Sequence, residues 1–99
     1  TDSDVAIARP MFECLGTVVE VNEKDLWAVT AVSGSGLAWF YLLASAIAEE
    51  GESLGLSPDE VSSLVRGTID GAAAMMQVDH RTPSALLEAV TTPGGTTEA

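Results

Sequence analysis

The segment Thr92-Pro93-Gly94-Gly95-Thr96-Thr97, near the end of the sequence, has the residue types best suited to binding a small ligand. Glycines let the backbone come close to a ligand, and consecutive backbone N–H groups can surround an anion. The hydroxyls of Thr96 and Thr97 would add hydrogen-bond donors beside them. This pattern suits a small carboxylate. A plain turn is the alternative interpretation, because Pro-Gly-Gly is common in loops that bind nothing.

Two other polar segments are weaker candidates for chemistry. Val32-Ser33-Gly34-Ser35-Gly36 lacks the preceding strand and the third glycine of a dinucleotide-binding turn, so we interpret it as a packing or turn element. Asp79-His80-Arg81 contains a histidine without an evident partner, and we interpret it as a solvated connection between helices. The residues therefore identify no catalytic acid or base.

The composition limits the partners and the compartment of the protein. Fifteen acidic residues against four basic ones give a net charge of −11, which argues against nucleic acid and anionic membrane surfaces as partners. Cys14 and His80 are the only cysteine and histidine, so we predict no internal disulfide, no metal site and a reducing cytoplasm. The most apolar stretch, residues 37–48, is shorter than the ~20 residues that cross a bilayer, and we find no secretory signal.

The first part of the chain has the pattern of a helix followed by a strand. Residues 4–16 have helical spacing with a stop at Gly16, although Pro10 should break or kink this helix. Residues 17–21 are short and β-branched, which favours a strand. Because one strand cannot make a sheet, this strand needs neighbours that the chain does not contain.

After residue 21 the patterns predict helices alone. A helix over residues 23–32 should be interrupted by the glycines at 33–36, and residues 37–50 resume it without an obvious solvent face. Ser57, Pro58 and Glu60 have the spacing of a capping box and predict a long helix. Thr82-Pro83 predicts the start of a short final helix that extends through Val90.

Four motifs follow one another along the chain: Leu15-Gly16-Thr17-Val18-Val19-Glu20-Val21, Ala28-Val29-Thr30-Ala31-Val32-Ser33-Gly34-Ser35-Gly36, Gly71-Ala72-Ala73 and Val90-Thr91-Thr92-Pro93-Gly94-Gly95-Thr96-Thr97. Their order and spacing closely resemble the carboxy-terminal half of pyrroline-5-carboxylate reductases. The resemblance covers nearly the whole chain, and the Pro-Gly-Gly-Thr-Thr segment is its most specific part.

The resemblance implies a mainly α fold with two parts. Residues 1–21 correspond to the last helix-strand unit of a Rossmann-type α/β domain that binds the dinucleotide. Residues 22–99 correspond to a helical dimerisation and substrate-binding domain, incomplete at its C-terminus. By the same resemblance the protein forms a homodimer or a higher homo-oligomer.

The resemblance also implies which residues meet the substrate, a cyclic imino acid. The candidates are Thr92, Gly94, Gly95, Thr96 and Thr97. The Thr97 hydroxyl would contact the substrate, and the backbone at residues 95–97 would receive its carboxylate. NAD(P)H would be bound mainly by a domain absent from this chain, so we expect no cofactor-binding residues here.

The implied activity is the reduction of 1-pyrroline-5-carboxylate to L-proline with NAD(P)H, a step of proline biosynthesis. The segment alone is expected to be inactive. A catalytically silent dimerisation module is the alternative, kept open by Leu37, His80 and Glu98, and Leu37 and Glu98 differ from the usual pattern of the family. If Glu98 points into the turn, its charge opposes a substrate carboxylate, and if it points away it stabilises a helix N-terminus.

Overall fold

The computed structural model describes residues 1–91 and 93–98, and its regular elements are helical. The helices are α1 (Asp2–Glu13), α2 (Leu26–Val29), α3 (Gly36–Ser53), α4 (Pro58–Val78) and α5 (Pro83–Val90). A 3₁₀ turn over Glu23–Asp25 precedes α2, and a π-helical turn over Thr30–Gly34 follows it. The chain divides into two units, Thr1–Trp39 and Phe40–Ala99. The predicted mainly α class is confirmed.

Helix α1 continues through Pro10 and ends at Glu13, so the predicted break at the proline does not occur. Proline removes one backbone hydrogen bond, while the remaining bonds of the helix are kept. The helix end is closed by the N–H groups of Leu15 and Gly16, which both donate to the Phe12 carbonyl at 2.9 and 3.2 Å. The stop therefore lies close to the predicted Gly16.

Residues 17–21 do not form the predicted strand in the part of the chain that the structure describes. A strand requires a neighbour for its backbone hydrogen bonds, and the rest of Thr1–Trp39 is helical or irregular. The segment is instead tied to α1 by side chains. The Arg9 guanidinium lies 3.1 Å from the Glu13 carboxylate and 3.3 Å from that of Glu20.

The glycine-rich segment at residues 33–36 does not produce the predicted interruption of the helix. One helical run extends from Glu23 to Ser53, and a π-helical turn takes up the glycine-rich segment, where the Ser35 N–H donates to the Thr30 carbonyl at 2.7 Å. The Ser33 hydroxyl donates to the Val29 carbonyl at 2.8 Å. A glycine costs a helix only ~1 kcal/mol relative to alanine, which hydrogen bonds of this kind can offset.

Helices α3 and α4 meet at Gly51 and Val61. A Cβ atom placed on Gly51 would lie 3.0 Å from Cγ2 of Val61, so the glycine permits the close approach. Gly55, with φ +103°, turns the chain between the two helices. Val61 is only 3% exposed and is the one buried apolar residue among those that the structure describes. The two helices therefore form a small contact rather than a full core.

The predicted start of α4 is confirmed in atomic detail. The Ser57 hydroxyl accepts a hydrogen bond from the Glu60 N–H at 3.2 Å, and the Glu60 carboxylate accepts one from the Ser57 N–H at 2.8 Å. These two bonds satisfy N–H groups that have no partner within the helix. The start of α5 has a similar cap, in which the Thr82 hydroxyl accepts from the Ala85 N–H at 3.1 Å.

We expect Ser57→Ala to lower the free energy of unfolding by about 1 kcal/mol, because the N-terminal N–H groups of α4 lose their acceptor. Urea unfolding followed by circular dichroism would measure this change. Ser63→Ala, an exposed position inside the same helix, is the matched control and should not destabilise the protein. Equal stability of the Ser57 variant and the unmodified protein would contradict the cap.

The apolar side chains of α3 are largely exposed in the single chain. Trp39, Phe40, Tyr41, Leu42 and Leu43 each expose more than half of their surface. The whole helical run Glu23–Ser53 is long and apolar enough to cross a membrane by length and composition, which residues 37–48 alone are not. Core helices of soluble proteins share that length and composition. What is established is an uncovered apolar surface on this helix.

Candidate functional site

The turn after α5 brings the predicted substrate-binding residues together. Helix α5 ends at Val90, where the Thr91 hydroxyl donates to the Leu87 carbonyl at 2.7 Å. The chain then turns at Gly94, whose φ of +74° favours glycine over every residue with a side chain. Gly94, Gly95, Thr96 and Thr97 lie in consecutive positions of this turn. Thr92, the remaining candidate, lies outside the described residues.

The turn is open to a ligand. Gly94, Thr96 and Thr97 are exposed, and Gly95 is half-buried. A Cβ atom placed on Gly94 would have no atom within 4 Å, so its backbone can be approached closely. Exposed hydroxyls and an exposed backbone N–H are the groups that would recognise a small polar ligand.

The Glu98 carboxylate accepts a hydrogen bond from the Gly94 N–H. Of the two orientations considered for Glu98, the structure therefore has the one that points into the turn. The contact matters chemically, because the backbone N–H of the turn already receives a carboxylate oxygen. Glu98 therefore places a negative charge at this end of the turn.

The cluster Asp79-His80-Arg81 is a connection between α4 and α5. The Arg81 guanidinium donates to the Asp79 carboxylate, with the shortest distance 2.7 Å from Nη2 to Oδ2, and the Arg81 N–H donates to the same carboxylate at 3.1 Å. These bonds hold the pKa of Asp79 below its usual value. His80 is exposed. Both charges of the pair serve to fix the link between two helices.

Among the described residues, no group of three His, Cys, Asp or Glu side chains is placed to hold a metal ion. The glycine-rich segment at 33–36 lies within the helical run and not between a strand and a helix N-terminus. The segment continues a π-helical turn and does not follow a strand, so it lacks the strand-turn-helix order of dinucleotide sites.

A groove of about 680 Å³ runs between α3 and α4 in the unit Phe40–Ala99. Its lining is mainly apolar, with Ala44 and Ala48 from α3 and Val65 and Ile69 from α4. Charged residues also line it: Glu52, Arg66 and Asp70. The apolar spacing of both helices is evident in the sequence, but the groove between them is not. The overlooked signal was the pair Arg66 and Asp70, which are opposite charges one helical turn apart.

Comparisons with known proteins give the chain a family. The profile of the family described as "Pyrroline-5-carboxylate reductase dimerisation" matches residues 23–99. A pyrroline-5-carboxylate reductase of Arabidopsis thaliana is 39% identical over 99 residues, which are 100% of this chain and 36% of the relative. One of Pseudomonas aeruginosa is 49% identical over 78 residues, or 79% of this chain and 29% of the relative. The chain thus spans about a third of the length of these curated relatives.

Solved structures agree with the sequence comparisons. A pyrroline-5-carboxylate reductase of Coxiella burnetii superposes with a TM-score of 0.89 at 32% identity, covering 99% of this chain and 37% of that one. A Plasmodium falciparum pyrroline carboxylate reductase with NADP bound gives 0.83 at 31% identity, covering 99% of this chain and 40% of that one. With its helical fold, its glycine-threonine turn and these similarities, the chain belongs to the pyrroline-5-carboxylate reductase dimerisation family.

Proposed function

We propose that this chain is the dimerisation and substrate-binding part of an enzyme that reduces 1-pyrroline-5-carboxylate to L-proline with NAD(P)H. In this reaction NAD(P)H gives a hydride to the carbon of the C=N bond and becomes NAD(P)⁺, while the ring nitrogen takes up a proton from water, which gives the secondary amine of proline. The proposal is supported by the names of the relatives and by the chemistry of the turn at residues 94–97.

The observation that carries the substrate assignment is the hydrogen bond from the Gly94 N–H to a carboxylate oxygen of Glu98. This contact supports a carboxylate as the ligand of the turn, because a carboxylate oxygen already lies against one of its backbone N–H groups. A substrate carboxylate would bind at the neighbouring backbone of residues 95–97, with the Thr96 and Thr97 hydroxyls as further donors. Fixing the carboxylate fixes the position of the imine ring, and such positioning is the contribution that a protein makes to a hydride transfer.

The described residues do not fit the dinucleotide. No strand followed by a glycine-rich turn and a helix occurs among them, and the four basic residues are scattered along the chain. We therefore assign to this chain the binding of the substrate carboxylate, and we assign none of its residues to the binding of NAD(P)H.

The proposed partner for the apolar surface of α3 and α4 is a second copy of the chain. One buried apolar residue among those described cannot stabilise a protein of this size, because a domain needs a substantial core to offset its conformational entropy. The family profile is itself described as a dimerisation region. A two-fold dimer would cover the groove between α3 and α4 in both copies.

We also propose a cytoplasmic location. Cys14 is a free and exposed thiol, which persists most readily in a reducing compartment.

Thr97→Val tests the substrate assignment. We expect kcat/KM for the imine to fall by about 2- to 10-fold in the complete enzyme, because one hydrogen bond worth roughly 0.5–1.5 kcal/mol is lost. Steady-state kinetics would measure the change. Thr30→Val is the matched control, since its hydroxyl donates to the Leu26 carbonyl within the helical run at 3.0 Å, and it should leave kcat/KM unchanged. Unchanged kinetics in the Thr97 variant would remove Thr97 from the site.

The Glu98 contact also supports a second function, that of a catalytically silent dimerisation module. The Glu98 carboxylate, held on the Gly94 N–H, puts a negative charge beside the backbone that would receive the substrate carboxylate. Assays of imine reduction with the complete protein separate the two functions. Turnover that depends on Thr97 supports the reductase, whereas a stable dimer without turnover supports the silent module.

A further inference from the structure

Arg66, on the groove between α3 and α4, has no anionic partner among the residues that the structure describes. Its Nε donates to the Ser62 hydroxyl at 3.1 Å, and within the described residues no carboxylate lies close enough to form an ion pair with it. By contrast, Arg81, the other basic residue of the unit Phe40–Ala99, holds Asp79 at 2.7 Å. In a chain with so many more acidic than basic residues, an arginine that pairs with none of them is unusual.

The lack of an ion pair for Arg66 among the described residues matters for the dimer proposed above, because Arg66 lines the groove that a second copy would cover. A second copy that covers the groove would remove water from the guanidinium, and a buried charge without a partner is strongly destabilising. In such a dimer, a carboxylate of the partner copy beside Arg66 would offset this cost. The acidic residues that line the same groove are Glu52 and Asp70, and by symmetry they also line it in the other copy.

The shape of α4 favours Asp70 as the partner. Gly67 and Gly71 directly follow Arg66 and Asp70, and a Cβ atom placed on either glycine would have no atom within 4 Å. The backbone of α4 is therefore uncovered beside both charges, and another helix can approach it closely there. Glu52 lies near the end of α3 and not on α4.

We propose that two copies associate with α4 packed antiparallel against α4 of the partner subunit, so that Arg66 of each copy pairs with Asp70 of the other. A two-fold axis that passes near Thr68 produces both pairs at once, since each contact in a symmetric dimer is made twice. Charged pairs of this kind fix the register of an interface more than they strengthen it. This inference rests on the proposed dimer and assigns the residues that set its geometry.

Sedimentation velocity with the full chain tests the pairing through three samples. Arg66→Glu and Asp70→Arg, each alone, should raise the dimer dissociation constant at least ~10-fold, because each homodimer then places like charges opposite each other. An equimolar mixture of the two variants should form dimers again. In the mixed dimer, both contacts between positions 66 and 70 join opposite charges. An ion pair within one chain could not produce this rescue, because mixing leaves each chain unchanged.

Glu52→Arg is the comparison variant, because Glu52 is the other acidic residue that lines the groove. It should leave the dissociation constant within about 2-fold of that of the unmodified chain, since the proposed register does not place Glu52 opposite Arg66. Circular dichroism checks that every variant keeps its helices. The pairing is overturned if the unmodified chain is a monomer, if single variants associate normally, if their mixture stays monomeric, or if Glu52→Arg rescues Arg66→Glu. A dimer with the proposed pairing but without imine reduction would contradict only the proposed activity.

Discussion

Calorimetric titration of NADPH into the 99-residue chain is expected to give no heat of binding. A dinucleotide site needs a strand, a glycine-rich turn and a helix N-terminus that receives the pyrophosphate. The described residues contain no such unit, and the glycine-rich segment at 33–36 lies inside the helical run Glu23–Ser53. The net charge of −11 would also repel the phosphates of the ligand.

The same titration with the complete enzyme is the positive control, and it should give a measurable dissociation constant. Titration of the isolated chain with L-proline tests the other half of the proposal, because the turn at residues 94–97 is present. Low-micromolar binding of NADPH by the isolated chain would show that the division between cofactor-binding and substrate-binding parts is wrong.

We expect Val61→Asp to lower the free energy of unfolding by roughly 3–5 kcal/mol, the largest effect of any single change considered. Val61 is 3% exposed and packs against the space left by Gly51. The substitution removes the buried apolar contact between α3 and α4 and places an unpaired carboxylate there. Thermal or urea unfolding would measure the loss, and the far-ultraviolet signal would show whether the helices separate.

Val78→Asp is the matched control for this substitution. Val78 is the last residue of α4 and is 74% exposed, so the same chemical change should cost less than about 1 kcal/mol there. Equal losses of stability in the two variants would mean that Val61 is not a packing centre.

The starts of α4 and α5 could be predicted from the sequence because caps are local. Ser57 and Glu60 are three residues apart, and their side chains reach each other's backbone N–H groups whenever a helix forms there. Thr82 with Pro83 works in the same way at the start of α5. The glycine-threonine turn after α5 was also visible, because glycine at 94 permits a backbone conformation that other residues rarely adopt.

Predictions failed in two segments where hydrogen bonds outweighed composition, one lacking a neighbouring strand and one held helical by local bonds. Residues 17–21 have the composition of a strand, but a strand forms only beside another strand. The glycines at 33–36 have the composition of a helix break, yet a π-helical turn and side-chain hydrogen bonds keep the run helical. Propensity is a weak local preference, and the surrounding contacts override it.

By itself, then, the sequence determined the helical class, the helix starts and the identity of the candidate turn, since each depends on residues within a few positions of one another. Only the tertiary structure decided that Gly51 and Val61 bring α3 and α4 into contact. It also decided that the groove between these helices carries Arg66, which has no ion pair among the described residues, and that Glu98 points into the turn. The physical reason is that packing and hydrogen bonding at these places depend on distances between atoms, and distances across a fold are not contained in the spacing of residues along a chain.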